Sequence, residues 1–269
     1  MQINQNKINR IGASLNKKYL WWFLKDLETL NENRLNCLEG KKVLYIPNHL
    51  SLIDPLVISL VLNQNEVLHP SIVSGENINR WPIKKIIPED AGIIFVDREK
   101  SENGSISEKK EELERIKKNI EHVVFKNYSL MAFIEGKRCY GLKVMESPKG
   151  RYPKVYLEEI LNQNKNPDNY WGINIALDYK PHPIENLFSS YSKFFKGKIF
   201  SLYFGFDLLS FSTQPFRKKP TAYINFGEPF PLKEFIKTQD YKKLIEFSSE
   251  EVRTLYKEIN NHEYKIIKR

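Results

Sequence analysis

The sequence contains no apolar stretch long enough to cross a membrane. Its longest candidate, residues 56–62, has seven residues, whereas a membrane-spanning helix needs about 20. The first residues are polar and lack the apolar centre of a secretory signal. We therefore expect a chain that is neither secreted nor threaded through a bilayer.

Cysteine is also scarce, since the 269 residues include only Cys37 and Cys139. Two cysteines cannot form a disulfide framework and are too few for a zinc cluster by themselves. A reducing compartment is therefore expected. Other residues of ligand type form no evident cluster, and we predict that the protein needs neither a metal nor a cofactor.

Positive charge is what the sequence has in excess. Lys and Arg number 42 against 33 acidic residues, which gives a net charge of +9. A content of 41% hydrophobic and 13% aromatic residues excludes a disordered chain. The charge indicates an anionic partner: a membrane surface, a phosphate ligand, an acidic protein or a nucleic acid. No nucleic-acid-binding motif is present, so no specific nucleic acid is expected.

Short apolar runs alternate with amphipathic segments along the chain, which predicts an α/β fold. We place strands at residues 42–47, 70–75, 92–96, 129–134, 171–178 and 221–226. Helices are predicted from Ser51 or Asp54 to Leu62 and at residues 108–126, 153–162 and 240–262, with a loop at 101–107. We expect a single domain over residues 36–269, with a mixed central sheet flanked by helices.

Two further segments have open interpretations. Residues 12–30 have helical periodicity, and their tryptophans and lysines suit either a membrane interface or packing on the domain. We assign residues 1–35 to this N-terminal amphipathic helical segment. Residues 187–220 are rich in Phe and Tyr, which fits either a membrane-facing or acyl-lining element or an ordinary part of the core.

His49 is the histidine whose position suggests chemistry. It follows a predicted strand and precedes Asp54 by five residues at the start of a predicted helix. The carboxylate can fold back onto one imidazole nitrogen and leave the other to act as a general base. Strand-to-helix junctions of α/β folds are where sites usually form.

Two other predicted strands end in charged residues. One delivers Asp97 and Arg98; the other delivers, in order, Glu135, Gly136, Lys137 and Arg138. The three cations at adjacent strand ends would make a phosphate cradle, and the glycine permits a tight turn. The alternative is that each strand simply ends in solvated charges.

These three segments resemble, in order and spacing, three sequence blocks of the glycerolipid (lysophosphatidic acid) acyltransferase family. The family's Asn-His-X4-Asp corresponds to residues 48–54. Its Gly-X-X-Phe-Ile-Asp-Arg corresponds to residues 92–98, and its Phe-Pro-Glu-Gly-Thr-Arg-Ser to residues 133–139. The resemblance covers roughly residues 40–230.

The resemblance implies transfer of an acyl group from acyl-CoA or acyl carrier protein to a hydroxyl of a lysophospholipid, 1-acylglycerol 3-phosphate above all. Such an enzyme would work as a peripheral protein on the cytoplasmic face of a membrane. Ile134, Lys137, Cys139 and Asn174 depart from the family pattern, which leaves the acceptor open. Glycerol 3-phosphate, another lysolipid or an aminolipid are alternatives, and so is a non-catalytic lipid-binding protein of the same fold.

The resemblance also implies a role for each residue. His49 would be the general base and Asp54 would orient its imidazole. Arg98 and Arg138, with Lys137, would hold the acceptor phosphate. Gly136 would shape the turn, and Glu135 would bind an acceptor hydroxyl or anchor the cations. Ser51 is interpreted as a helix cap and Cys139 as a small neighbour of the cations rather than a nucleophile.

Overall fold

The computed structural model describes residues 24–51, 53–76, 92–97, 99–135, 148, 150–180 and 220–267. Helices and strands alternate through these residues, as the apolar pattern predicts. In chain order they are β1 (Asp26–Leu30), β2 (Lys42–Pro47), α1 (Asp54–Gln64), β3 (Ser71–Gly75), β4 (Ile93–Val96), α2 (Ile106–Phe125), β5 (Leu130–Met131), α3 (Arg151–Asn162), β6 (Tyr170–Lys180), β7 (Thr221–Phe226), β8 (Phe230–Pro231), α4 (Lys233–Thr238) and α5 (Tyr241–Ile267).

The eight strands form one mixed sheet in the order β1-β7-β6-β2-β5-β3-β4, with β8 paired to β6. The pairs β6–β2, β2–β5, β5–β3 and β3–β4 are parallel. The pairs β6–β7 and β6–β8 are antiparallel, and β1 runs parallel to β7. The predicted α/β fold, a mixed sheet flanked by helices, is confirmed.

The centre of the sheet is covered on both faces. Asp178 of β6 accepts a hydrogen bond from Tyr256 of α5 at 3.2 Å, whereas the next residue, Tyr179, contacts the start of α1. Successive side chains of a strand point to opposite faces, so α5 lies on one face and the first turn of α1 on the other. Central strands buried in this way are apolar along their length, as in β2.

A second polar contact fixes α5 on the same face of β6. The Asn174 side-chain amide donates to the carboxylate of Glu251. Burial raises the pKa of Glu251, and the hydrogen bond from Asn174 opposes that shift. The residue that departs from the family pattern in this strand is therefore bound to a helix of the core.

The N-terminal part of the predicted fold needs correction. The helix predicted over residues 12–30 is wrong at its C-terminal end, because Asp26–Leu30 is an edge strand paired residue by residue with β7. Residues 12–23 lie outside the described residues. The predicted boundary between residues 35 and 36 falls inside a 3-10 helix, Glu32–Leu38, and the two-part division remains a prediction.

Two smaller differences concern local structure. The strand predicted over residues 129–134 is paired only at Leu130–Met131, because the chain turns at residues 134 and 135. The predicted loop over residues 101–107 instead contains the end of a π-helical turn, Glu99–Asn103, and the Ser105 cap of α2. The aromatic segment up to residue 219 lies outside the described residues.

Candidate active site

The site forms where four parallel strands end. The carboxyl ends of β2, β4, β5 and β6 lie at one edge of the sheet, since all four run in the same direction. His49 follows β2, Asp97 follows β4, Glu135 follows β5 and Tyr179 lies near the end of β6. Open α/β sheets bind ligands at this edge.

His49 and Asp54 contact each other directly. The imidazole Nδ1 lies 2.9 Å from Asp54 Oδ2. The His49 side chain is 12% exposed, whereas Asp54 is fully buried at the first position of α1. An ionised carboxylate can only accept, so Nδ1 carries the proton, and in the neutral ring the lone pair is then on Nε2. This tautomer is the one a general base requires.

The Asp54 carboxylate is held by backbone and side-chain donors. Oδ2 also accepts from the N–H groups of Leu50 at 2.6 Å and Ser51 at 2.9 Å. Oδ1 accepts from the Tyr179 hydroxyl at 2.6 Å. The positive end of the α1 dipole faces the same group. A buried carboxylate is costly unless it is satisfied in this way.

Asn48 connects the end of β2 to β6. Its Nδ2 donates to the carbonyl of Leu177 at 3.0 Å, and its Oδ1 accepts from the N–H of the same residue at 2.7 Å. The Asn48 N–H donates to the Ile175 carbonyl at 3.2 Å. These bonds continue the strand pairing past Pro47 and fix the residue immediately before His49.

The end of β5 contacts His49 twice. Oε2 of the buried Glu135 accepts the His49 backbone N–H at 3.0 Å. The Phe133 ring lies 4.3 Å from the imidazole, centroid to centroid, at an interplanar angle of 37°. The Glu135 carboxylate thus holds the backbone of the histidine, a contact that neither of its two predicted roles includes.

The end of β4 is held by α2. Glu112 Oε1 accepts the Asp97 N–H at 2.8 Å, and the Arg115 guanidinium donates to Glu112 and to the Phe95 carbonyl at 2.6 Å. Hydrogen bonding to Glu112 raises the pKa of Arg115, so the guanidinium stays charged. The backbone just before Arg98 is therefore fixed by two charged side chains.

The predicted site residues fall into two groups. His49, Asp54 and Glu135 are described and lie together. The remaining predicted residues lie outside the described residues: Arg98, Gly136, Lys137, Arg138 and Cys139. The predicted cap role of Ser51 is wrong, because α1 begins at Asp54 with Ile53 at its N-cap, and Ser51 Oγ is 3.5 Å from the Ile53 N–H.

Sequence reasoning missed two contacts beside the His49–Asp54 pair and one at the end of β4. Asn48 lies inside the recognised motif, and its position next to His49 could have marked it. Tyr179 follows the predicted strand 171–178 directly, but no sequence signal relates it to Asp54, 125 residues away. The Glu112–Arg115 pair has the spacing of an ordinary helical salt bridge and gives no sign of its contact with β4.

Two kinds of feature are absent from the described residues. Within them, no three His, Cys, Asp or Glu side chains converge in a manner suited to a metal ion. None of the helices in that part of the chain combines the length and apolar character needed to cross a membrane.

Comparison with known proteins finds similarity to acyltransferases over the site region. Residues 25–152 match the Acyltransferase family, and this range contains β1 to β5, His49, Asp54 and Glu135. Over 252 residues the chain is 25% identical to the glycerol-3-phosphate acyltransferase of Pasteurella multocida (strain Pm70), covering 91% of this chain and 29% of that protein. It is 25% identical over 222 residues to the enzyme of the same name from Haemophilus influenzae (strain PittEE), covering 81% and 26%. The chain thus spans under a third of the length of these relatives.

Proposed function

We propose that this chain, whose residues 25–152 match the Acyltransferase family, transfers an acyl group from a thioester to a hydroxyl of a glycerol phosphate. The observation that carries the proposal is the His49–Asp54 pair. A histidine held at Nδ1 by a buried carboxylate, at the carboxyl edge of a parallel sheet, is arranged to accept a proton at Nε2.

The reaction needs one proton to move twice. His49 Nε2 takes the proton of the acceptor hydroxyl as its oxygen attacks the thioester carbonyl. The C–S bond then breaks, and the imidazolium returns the proton to the leaving thiolate. Asp54 stabilises the imidazolium between these steps. General-base assistance of this kind contributes typically about 10²–10⁴-fold, and no acyl-enzyme is required.

The acceptor phosphate would meet the predicted cations. Arg98, Lys137 and Arg138 supply the positive charge, and Gly136 supplies the turn that lets the backbone approach. Arginine matches the geometry of a phosphate with two parallel hydrogen bonds. The hydrogen bond from the Asp97 N–H to Glu112 supports this assignment, because it fixes the backbone at the end of β4, immediately before Arg98.

The identity of the acceptor rests on the relatives. Both are named glycerol-3-phosphate acyltransferases, which favours glycerol 3-phosphate over 1-acylglycerol 3-phosphate as the acceptor. Either molecule presents a hydroxyl and a phosphate to the site. The donor is acyl-CoA or acyl carrier protein, and the net charge of +9 suits an acidic carrier protein and an anionic membrane surface alike. We place the enzyme at the cytoplasmic face of the membrane as a peripheral protein.

Acyl transfer by the purified chain tests the proposal. Each donor is offered with glycerol 3-phosphate, 1-acylglycerol 3-phosphate and other lysophospholipids in vesicles. We expect product from the wild type and a loss of about 100-fold or more in His49→Ala. His122→Ala is the matched control, because His122 is a partly buried histidine of α2, and it should retain activity.

Two results would contradict the proposal. No product from folded wild type with any pair would remove the catalytic function and favour a lipid-binding role. Product that survives His49→Ala would exclude His49 as the base.

A further inference from the structure

Tyr179 contacts the catalytic pair from a distant part of the chain. Its hydroxyl lies 2.6 Å from Asp54 Oδ1, and both side chains are fully buried. The hydroxyl donates, because the carboxylate oxygen can only accept. A separation this short is typical of an O–H bonded to a charged oxygen.

The two oxygens of Asp54 have different partners. Oδ2 is bound by local groups: the His49 ring and the N–H groups of Leu50 and Ser51. Oδ1 is bound by Tyr179, which belongs to β6. The tyrosine therefore holds the second carboxylate oxygen from a strand that is distant in sequence, while local donors hold the first.

β6 gives this hydroxyl a rigid support. The strand is paired with β2 on one side and with β7 on the other, and Tyr179 itself is in register with Ala222. Asn48 adds two hydrogen bonds between β6 and the residue before His49. The donor and the dyad are thus fixed relative to each other by the sheet.

We propose that Tyr179 is a positioning residue that holds the Asp54 carboxylate against the His49 ring, and so keeps the proton of His49 on Nδ1. The proposal rests on the acyl transfer proposed above. Without the hydroxyl, Oδ1 would be a buried carboxylate oxygen that has lost its Tyr179 donor, which favours a carboxylate turned away from its place against the ring. If Oδ2 is displaced, Nδ1 loses its acceptor, and the neutral ring can then carry its proton on Nε2, the nitrogen that must accept one.

Tyr179→Phe removes only this hydroxyl. The matched control is Tyr156→Phe on α3, because Tyr156 is also fully buried and its hydroxyl donates to the Tyr128 carbonyl at 3.0 Å, away from the dyad. We expect kcat to fall about 10-fold or more in Tyr179→Phe, with the KM for glycerol 3-phosphate unchanged. Tyr156→Phe should keep the wild-type kcat while losing a similar amount of thermal stability.

The tautomer of His49 gives a readout that does not depend on turnover. In protein labelled with ¹⁵N-histidine, the wild type and Tyr156→Phe should show His49 with its proton on Nδ1, at a pH where the ring is neutral. Tyr179→Phe should shift the proton toward Nε2. His49→Ala identifies the signal.

The outcomes separate the two proposals. A wild type without acyl transfer refutes the proposed function. The tautomer experiment then tests the positioning role of Tyr179 by itself. A wild-type kcat and an unchanged His49 signal in Tyr179→Phe would overturn the positioning role. If that variant does not fold, the wild type still decides, because an Nε2-protonated His49 there would also overturn it.

Discussion

His69 is a buried histidine that lies just before β3 and makes no part of the proposed site. Its Nδ1 is 3.5 Å from Ser59 Oγ of α1, and burial lowers its pKa from 6.5 to about 4. The unfolded chain therefore binds this proton at a higher pH than the folded one. Stability due to the neutral ring is complete above pH 6.5 and is lost as the pH falls toward 4.

The difference between the pKa of His69 in the folded and unfolded chain predicts a loss of stability in acid that is due to this residue. Between pH 7 and pH 4.5 the wild type should lose about 2–3 kcal/mol more unfolding free energy than His69→Gln, whose amide does not titrate. Urea unfolding of both proteins at the two pH values measures it. Equal losses in the two proteins would mean that His69 becomes protonated in the folded state.

Gly150 joins two elements next to the site. It caps α3 in the left-handed region, with a φ of 54°, and its N–H donates to the Ile134 carbonyl beside Glu135. A Cβ at this position would overlap Cδ1 and Cγ1 of Ile245 on α5. Glycine here lets the start of α3 pack between the end of the β5 segment and α5.

Gly150→Ala is expected to lower the free energy of unfolding by more than backbone strain alone would. Gly40 offers the matched control, because its φ is 70° and a Cβ there would meet nothing within 4 Å. We expect a loss of about 1 kcal/mol in Gly40→Ala and about 2–4 kcal/mol in Gly150→Ala, where Ile245 must also move. Equal shifts in the urea midpoint would show that Ile245 adjusts freely.

The elements that sequence reasoning located are those with long periodic patterns. The helix predicted at residues 108–126 and the strand at 42–47 correspond to α2 and β2. β1 was missed because Leu27 and Leu30 continue the helical spacing of three or four residues that the apolar residues before them follow. The pairing with β7 that makes this segment a strand depends on residues about 195 positions away. The local sequence pattern therefore cannot reveal the pairing of β1 with β7.

The contacts of the candidate site also divide into one that the local sequence predicts and others that depend on the pairing of distant strands. Asp54 was related to His49 because a five-residue separation closes within one loop. The Glu135 contact with the His49 N–H depends on β2 lying beside β5, and the Tyr179 contact depends on the register of β2 with β6. Neither register can be read from the motif, although the motif supplied the residues on which the site is built.

At the scale of the whole molecule, the N-terminal residues divide into a cationic stretch and a strand that belongs to the sheet. Residues 1–23 carry four cations and no acidic residue, which favours anionic lipid surfaces. Residues 26–30, in contrast, form five residue pairs with β7. A test of membrane binding must therefore remove the first set of residues and keep the second.

We expect the deletion of residues 1–23 to weaken binding to anionic vesicles. Deletion of residues 1–30 should lower the unfolding temperature further than the shorter deletion does, because β7 loses its pairing with β1 and the buried Leu24 is removed. Cosedimentation and thermal unfolding measure the two effects. Vesicle binding that is unchanged in the shorter deletion would assign lipid attachment to another surface.

The pairing of β1 with β7 also sets the order of events on the ribosome. Asn31, next to β1, is hydrogen-bonded to Asn225 of β7, 194 residues later. At about 5–20 residues per second, translation supplies that partner about 10–40 s after β1 itself. The Tyr179 hydroxyl follows Asp54 by 125 residues, a delay of about 6–25 s at the same rates. A nascent chain therefore lacks the Tyr179 contact with Asp54 until β6 has emerged, and it holds an unpaired edge strand until β7 has emerged.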